Sequence, residues 1–459
     1  MYQLLRRLHF YAGILVAPFL LLAAVTGGLY AIAPTVEQFV YRDVLTVTPA
    51  GPALPLNQQI DAARAAHPDR TFAGLRPPAD DTESTRVLFE LGEETQLAVF
   101  VDPYTGRVLG DETVWFGSLP LSTWLDGLHA NLHLGDTGAL YSELAASWLW
   151  VVALGGLLLW LRKARNDRRR NRAARVLTVD RATTGRARTL NWHGATGVWI
   201  VLALLFLSAT GLTWSTYAGA NVKEVRTAMD WQRPKLDTGA APQTAGGHEG
   251  HEASTAVPQT DFDRVVATAA EHGVTAPVEI TASAGGALSV AETDKAFRPE
   301  TDSVAIDPAS GRVTATLDYN RDYSLIAKLA DWGIRGHMGT LFGLANQLVL
   351  LATAIALVTL IGRGYLMWWQ RRPARGGRLT LGKAPRRGAV RRMNPIVLLG
   401  ITLVTAAIGW FLPVLGVSLL AFLVVDVIVG QLPKGQPSAG SIGSPGSSPA
   451  TQESRRVPR

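Results

Sequence analysis

The sequence predicts an α-helical polytopic membrane protein: a four-helix core built as two parallel repeats, two small extracytoplasmic α+β modules, and a C-terminal helical hairpin. Three observations predict it. The apolar residues fall in blocks near bilayer length, the basic residues flank those blocks, and both the blocks and the segments between them recur at fixed offsets.

Taken in order, the chain begins with TM helix 1 in residues 1–33, whose apolar run Ile14 to Ala33 follows Arg6 and Arg7. The run has no clear small-x-small cleavage site near its end, so it reads as an uncleaved anchor and not a signal peptide. TM helix 2 (139–161) is carried by the run Leu140 to Leu161, TM helix 3 (191–214) by Val198 to Trp214, and TM helix 4 (336–369) by Leu344 to Trp369. The last apolar block, 395–432, is too long for one span and is interrupted at Trp410-Phe411-Leu412-Pro413, which suits a C-terminal TM hairpin, with one tilted helix as the alternative. A tail rich in Gly, Ser and Pro, 433–459, reads as disordered.

Orientation follows from the connecting segments. Arg162 to Arg188 holds eleven Lys or Arg against two acids, and Arg363 to Arg392 holds ten against none. The loops 162–190 and 370–394 therefore belong in the cytoplasm with the N-terminus, in a cytoplasmic (inner) membrane. These two basic segments exceed the whole chain's net charge of +7, so membrane topology explains the positive charge and a nucleic-acid partner does not. The absence of cysteine excludes disulfides, thiolate metal sites, iron–sulfur ligation and covalent c-type haem.

The outer segments, 34–138 and 215–335, share a motif. Val101-Asp102-Pro103-Tyr104-Thr105-Gly106-Arg107-Val108 returns 205 residues later as Ile306-Asp307-Pro308-Ala309-Ser310-Gly311-Arg312-Val313. Each reads as strand, tight turn, strand, with the glycine supplying a positive φ. A predicted helix precedes each, Asn57 to Ala66 and Asp261 to Gly273, followed by strand candidates such as Arg86 to Leu91 and Leu97 to Val101.

The membrane segments repeat too. At an offset of 184, His9 matches His193, Gly13 matches Gly197, and Thr26-Gly27 matches Thr210-Gly211. At an offset of 208, His129 matches His337, Gly135 matches Gly343 and Trp160 matches Trp368. Such halves are parallel repeats about an axis along the membrane normal. They place one histidine pair at the inner face and one at the outer face.

Ionisable residues at such depths are costly and usually functional, and neutral imidazole is an axial ligand of haem iron. Gly13 and Gly197 follow their histidines by four residues on the same helix face, where missing side chains let a flat porphyrin approach. His133, one turn beyond His129, is an alternative ligand; its repeat partner is Leu341. In GGHEGHE (246–252), His248 and His251 form a weak candidate for a divalent metal, with a solvated flexible loop the preferred reading. Trp115, Trp124, Trp214, Trp231 and Trp332 read mainly as interfacial anchors.

The motifs LHFYAG, LHANLHLGDTG, NWHGATG and RGHMGTLFG, with the two DP-x-x-GRV turns, resemble the PepSY-associated transmembrane proteins over about residues 1–372. That resemblance implies PepSY-like outer modules and a b-type haem core of two haems, ligated by His9, His129, His193 and His337, as in iron-regulated membrane proteins and ferric-siderophore reductases. It also implies transmembrane electron transfer from a quinol or a cytoplasmic reductase to a ferric chelate outside. No dinucleotide fingerprint identifies the donor, and no catalytic residue beyond the ligands stands out. The alternative function is a non-enzymatic regulator or transport accessory whose outer modules bind a peptide, a peptidase or a siderophore.

Overall fold

The structure is a computed structural model, and it describes residues 2–92, 95–170, 175–239, 260–283, 286–371 and 394–431. His248 and His251, the basic stretch 372–393 and the tail 433–459 lie outside the described residues. The chain divides into two compact units, Met1–Gly416 and Val417–Arg459.

Four described helices are long and apolar enough to cross a membrane: α2 (Ala17–Val40), α6 (Gly135–Arg169), α7 (Gly185–Thr213) and α12 (Gly343–Trp369). No more than about a third of the most apolar stretch of each is buried by protein. The rest, such as Trp199 and Leu202 on α7, is exposed apolar surface of the kind lipid covers. The chain is thus a multi-pass membrane protein. α1 (Tyr2–Leu15) leads into α2 with hardly a break, because the Val16 amide donates to Ala12 O at 2.9 Å and the Leu20 amide donates to Val16 O at 3.1 Å. Pro18 sits in the first turn of α2, where its missing N–H leaves no bond unmade, while Pro34 lies inside the helix. Helix α2 runs past residue 33, the sequence-based limit, to Val40.

The segment assigned from sequence to TM helix 4 is two helices. α11 (Leu325–Met338) carries His337 and ends where Gly339 takes a φ of 89° and its amide returns to Arg335 O, before α12 starts at Gly343. A left-handed glycine is a helix stop that hydrophobicity does not register. α5 (Pro120–Ala130), carrying His129, stands before α6 in the same way. The turn between them holds Leu132, His133 and Gly135 at positive φ. α13 (Pro395–Phe411) and α14 (Pro413–Gln431) are two shorter apolar helices parted at Leu412-Pro413.

The outer segments form one eight-stranded sheet instead of two separate ones. Strands β1 (Phe72–Arg76), β2 (Thr85–Glu90), β3 (Thr95–Val101) and β4 (Val108–Trp115) make one antiparallel meander. Strands β5 (Val278–Ala282), β6 (Leu288–Glu292), β7 (Ser303–Ile306) and β8 (Val313–Leu317) make the other. The order β4-β3-β2-β1-β5-β6-β7-β8 joins them at the edge strands β1 and β5, with Gly74 opposite Thr281 and Leu75 opposite Ile280. Edge strands carry unpaired backbone groups, and mutual pairing satisfies both. Gly74 permits the close approach, since a Cβ there would lie 2.7 Å from Ile280 O.

α4 (Leu56–Ala66) and α9 (Phe262–Glu271) cover one face of this sheet in a single apolar core that includes Ile60, Leu75, Phe89, Val265, Ile280 and Ile306. The two helices are tied together: Asn57 Nδ2 donates to Thr260 O at 2.7 Å, Asn57 Oδ1 accepts from the Phe262 amide at 3.1 Å, and Asp263 accepts from the Leu56 amide at 3.0 Å. Arg76 pairs with Glu279 across the seam. On the first half's other face, α3 (Arg42–Leu45) contributes Leu45 to a cluster with Leu88, Ala98 and Phe100. α8 (Thr216–Ala228) and α10 (Tyr319–Asp322) complete the connections.

The two DP turns match in detail. Gly106 and Gly311 adopt φ of 71° and 69°, and their amides donate to Asp102 O and Asp307 O at 2.9 and 2.8 Å. Thr105 and Ser310 donate their hydroxyls to the two aspartates at 2.8 and 2.6 Å. The Ser310 hydrogen bond leads the effects that hold Asp307 below the ordinary carboxylate range.

Candidate functional site

The helix bundle brings four histidines together as two facing pairs. His9 of α1 meets His193 of α7 with ring centroids 6.4 Å apart and planes at 77°. His129 of α5 meets His337 of α11, also at 6.4 Å, with planes at 49°. His133 turns away: its ring stacks near Trp124, with centroids 5.4 Å apart.

The hydrogen bonds show which nitrogen of each ring is engaged by the protein. His9 Nδ1 lies 3.1 Å from Val152 O on α6, and His193 Nδ1 lies 3.1 Å from Leu360 O on α12. A carbonyl only accepts, so each of these rings carries its proton on Nδ1. The outer rings reach the same state by another route. His129 Nδ1 is 3.0 Å from Thr26 Oγ1, and His337 Nδ1 is 2.6 Å from Thr210 Oγ1. Each threonine spends its single hydroxyl proton on its own helix, Thr26 on Leu22 O at 2.9 Å and Thr210 on Phe206 O at 2.7 Å. With the hydroxyl proton so placed, its oxygen accepts from the imidazole. In all four rings the lone pair is left on Nε2, the arrangement by which a metal-binding histidine is fixed through its other nitrogen.

Glycines make room for the rings. A Cβ on Gly156 would lie 2.9 Å from His9 Cε1, and one on Gly27 would lie 2.9 Å from His129 Cε1. Gly364 and Gly211 hold the equivalent places beside His193 and His337, at 3.9 and 3.8 Å. Tyr141 steadies the outer pair by donating to His129 O at 2.6 Å, and Trp214 meets the His337 ring edge to face at 5.3 Å.

Around the inner pair lies a cavity of about 460 Å³ walled by α1, α2, α6, α7 and α12. Gly13 and Gly197 both line it; a Cβ on Gly13 would touch nothing within 4 Å, and one on Gly197 would meet only Leu360 Cδ2 at 4.0 Å. The cavity is apolar at one end, with Leu20, Leu149, Leu204 and Leu357, and basic at the other, with Arg6, Lys163, Arg186 and Arg371. Trp160 and Trp368 also face it.

A haem held between two imidazoles sets the spacing such pairs would need. Two metal–nitrogen bonds of about 2 Å, with about 1.1 Å from each nitrogen to its ring centre, separate the centroids by about 6 Å. Both pairs have that spacing. Among the described residues no group of three or more His, Cys, Asp or Glu could hold a bare metal ion, so the pairs lack a third protein ligand of those types. A macrocycle that brings its own four nitrogens needs none. Along α7 the 17 residues from His193 to Thr210 span about 25 Å, close to the thickness of a bilayer's hydrocarbon core.

Several supporting residues had no role in the sequence reading. Val152 and Leu360, Gly156 and Gly364, and Lys163 and Arg371 all stand at the 208-residue offset already visible for His129 and His337. Extending that offset along the helices would have found them. Arg6 and Arg186 have no such counterparts, since the 184-residue offset sets Leu190 against Arg6 and Tyr2 against Arg186.

No curated protein matches the chain. The family described as the PepSY-associated TM region matches residues 6–371, which takes in all four histidines, both DP turns and the whole sheet. The chain belongs to the PepSY-associated TM family.

Proposed function

We propose that this protein carries electrons across a cytoplasmic membrane through two b-type haems, one held by His9 and His193 and one by His129 and His337. The observation that supports this best is the shared state of the four rings: each is engaged through Nδ1, and each pair is spaced as two imidazoles that would hold one iron between them. Haem bound there supplies one-electron exchange between ferric and ferrous iron.

The chain's own part is to orient and to exclude water. The carbonyls of Val152 and Leu360 hold the inner imidazoles, and Thr26 and Thr210 hold the outer ones, so the ligands need not rearrange when charge changes. The apolar walls keep water from the rings, and the lipid-facing surface fixes their depth. With the basic loop 162–190 in the cytoplasm, the inner pair faces the donor, a quinol or a cytoplasmic reductase, and the outer pair faces the sheet. The acceptor is a ferric chelate such as a ferric siderophore. One electron converts its ferric ion to ferrous, which hard oxygen ligands hold less tightly, so iron is released.

The test is the absorption spectrum of purified full-length protein before and after dithionite. Sharp α and β bands on reduction, followed by reoxidation on adding a ferric siderophore, are expected. A folded, haem-free preparation would overturn this reading and favour a regulator or transport accessory whose sheet binds a peptide, a peptidase or a siderophore.

A further inference from the structure

The cavity around His9 and His193 is polarised in a way that axial ligation does not require. Leucines line one end, while three guanidiniums, Arg6, Arg186 and Arg371, line the other. Arg6 and Arg186 are exposed and Arg371 is half-buried. Among the described residues none of the three pairs with a carboxylate, whereas Lys163 beside them is paired with Asp167 at 2.7 Å. Arg371 lies over the Phe10 ring, 5.4 Å from its centre. Burial pushes Arg371 below its ordinary value, and Arg186 and then Arg6 add to the effect, so the three cations lie within each other's field. Like charges gathered without a counter-ion are unfavourable alone and become favourable around an anion.

Guanidinium is the side chain best matched to carboxylate, through paired, charge-assisted hydrogen bonds. A ligand that is flat and apolar over most of its body and carries carboxylates along one edge complements this slot from both ends. We propose that Arg6, Arg186 and Arg371 bind the two propionates of the haem held by His9 and His193, so that the propionate edge stands at the basic mouth and the apolar edge lies among the leucines. This rests on the haem reading above. It adds the orientation of the group and a set of residues that retain it without touching the iron. The same cations also favour the ferrous state, which carries one positive charge fewer than the ferric state.

The test compares purified holoprotein with the triple variant R6Q/R186Q/R371Q and the charge-keeping R6K/R186K/R371K. Haem loss to excess apomyoglobin and the midpoint potential of each haem are followed, with the inner haem identified by its absence in the His9→Ala variant. In the glutamine variant the inner haem should leave at least about tenfold faster and its potential should fall, while the outer haem is unchanged. The lysine variant should stay close to wild type, which separates lost charge from lost fold. An inner haem with unaltered loss rate and potential in the glutamine variant would overturn the proposal and leave the haem reading intact. A wild-type protein that folds without haem would overturn both.

Discussion

His9 and His193 stand 184 positions apart in the chain, yet their rings face each other at 6.4 Å, each steadied by a carbonyl of a different neighbouring helix, Val152 on α6 and Leu360 on α12. Each half of the bundle thus supplies one ring and the helix that orients it. Replacing His9 or His193 by alanine should halve the haem content and leave the other haem's spectrum in place. A pyridine haemochrome assay on the purified variants measures this; unchanged content would refute the pairing.

Thr26→Val should act on the outer pair alone. The valine removes the oxygen that accepts from His129 Nδ1 and leaves a buried N–H without a partner. Loss of such a supporting contact weakens metal binding roughly 10- to 100-fold and makes the imidazole a poorer donor, so the outer haem should dissociate more readily and its potential should rise. Redox titration of the variant checks both, and Thr210→Val should behave alike through His337.

Gly13→Leu separates the cavity from the fold. A Cβ there would meet nothing within 4 Å, and Gly13 lines the cavity it shares with His9, so the bundle should assemble normally while the inner haem is lost. Size-exclusion chromatography paired with the absorption spectrum decides it, and a leucine variant that keeps both haems would count against occupancy of this cavity. Gly27→Leu should instead displace the His129 ring directly and remove the outer haem.

The seam between β1 and β5 should be the weak point of the outer domain. Gly74→Val puts a side chain against Ile280 O, at a position where even a Cβ would lie 2.7 Å away, and overpacking of this kind costs about 1–3 kcal/mol. Hydrogen exchange at Val278–Ala282 should accelerate roughly tenfold or more, with slower change at β3. Equal protection of β5 in the variant and the wild type would show that the seam is not held by close backbone approach.

Much of this arrangement is legible in the sequence because side chains carry it. The apolar blocks mark the spans, the loop charges suggest orientation, and the matched His and Gly positions single out the four rings that the structure brings into pairs. His133 is separated from His129 by geometry alone: a positive φ of 55° swings it toward Trp124, a choice that spacing along a helix could not reveal. The union of the two sheets was also hidden. Edge pairing is made by backbone amides and carbonyls, which every residue but proline shares, so Leu75 and Ile280 bear no mark of being opposite each other. The stop at Gly339 escaped for a related reason, since the apolar pattern continues across a turn that one glycine's φ creates.

The seam has a further meaning for how the molecule can be divided. Residues up to Arg169 contain His9 and His129, and residues from Gly185 contain His193 and His337, so each half owns one member of both pairs and completes neither. The β1–β5 junction and the Asn57–Thr260 tie make the chain its own obligate partner. Expressed separately, a half would have to find its complement, or a second copy of itself, before either histidine pair could form.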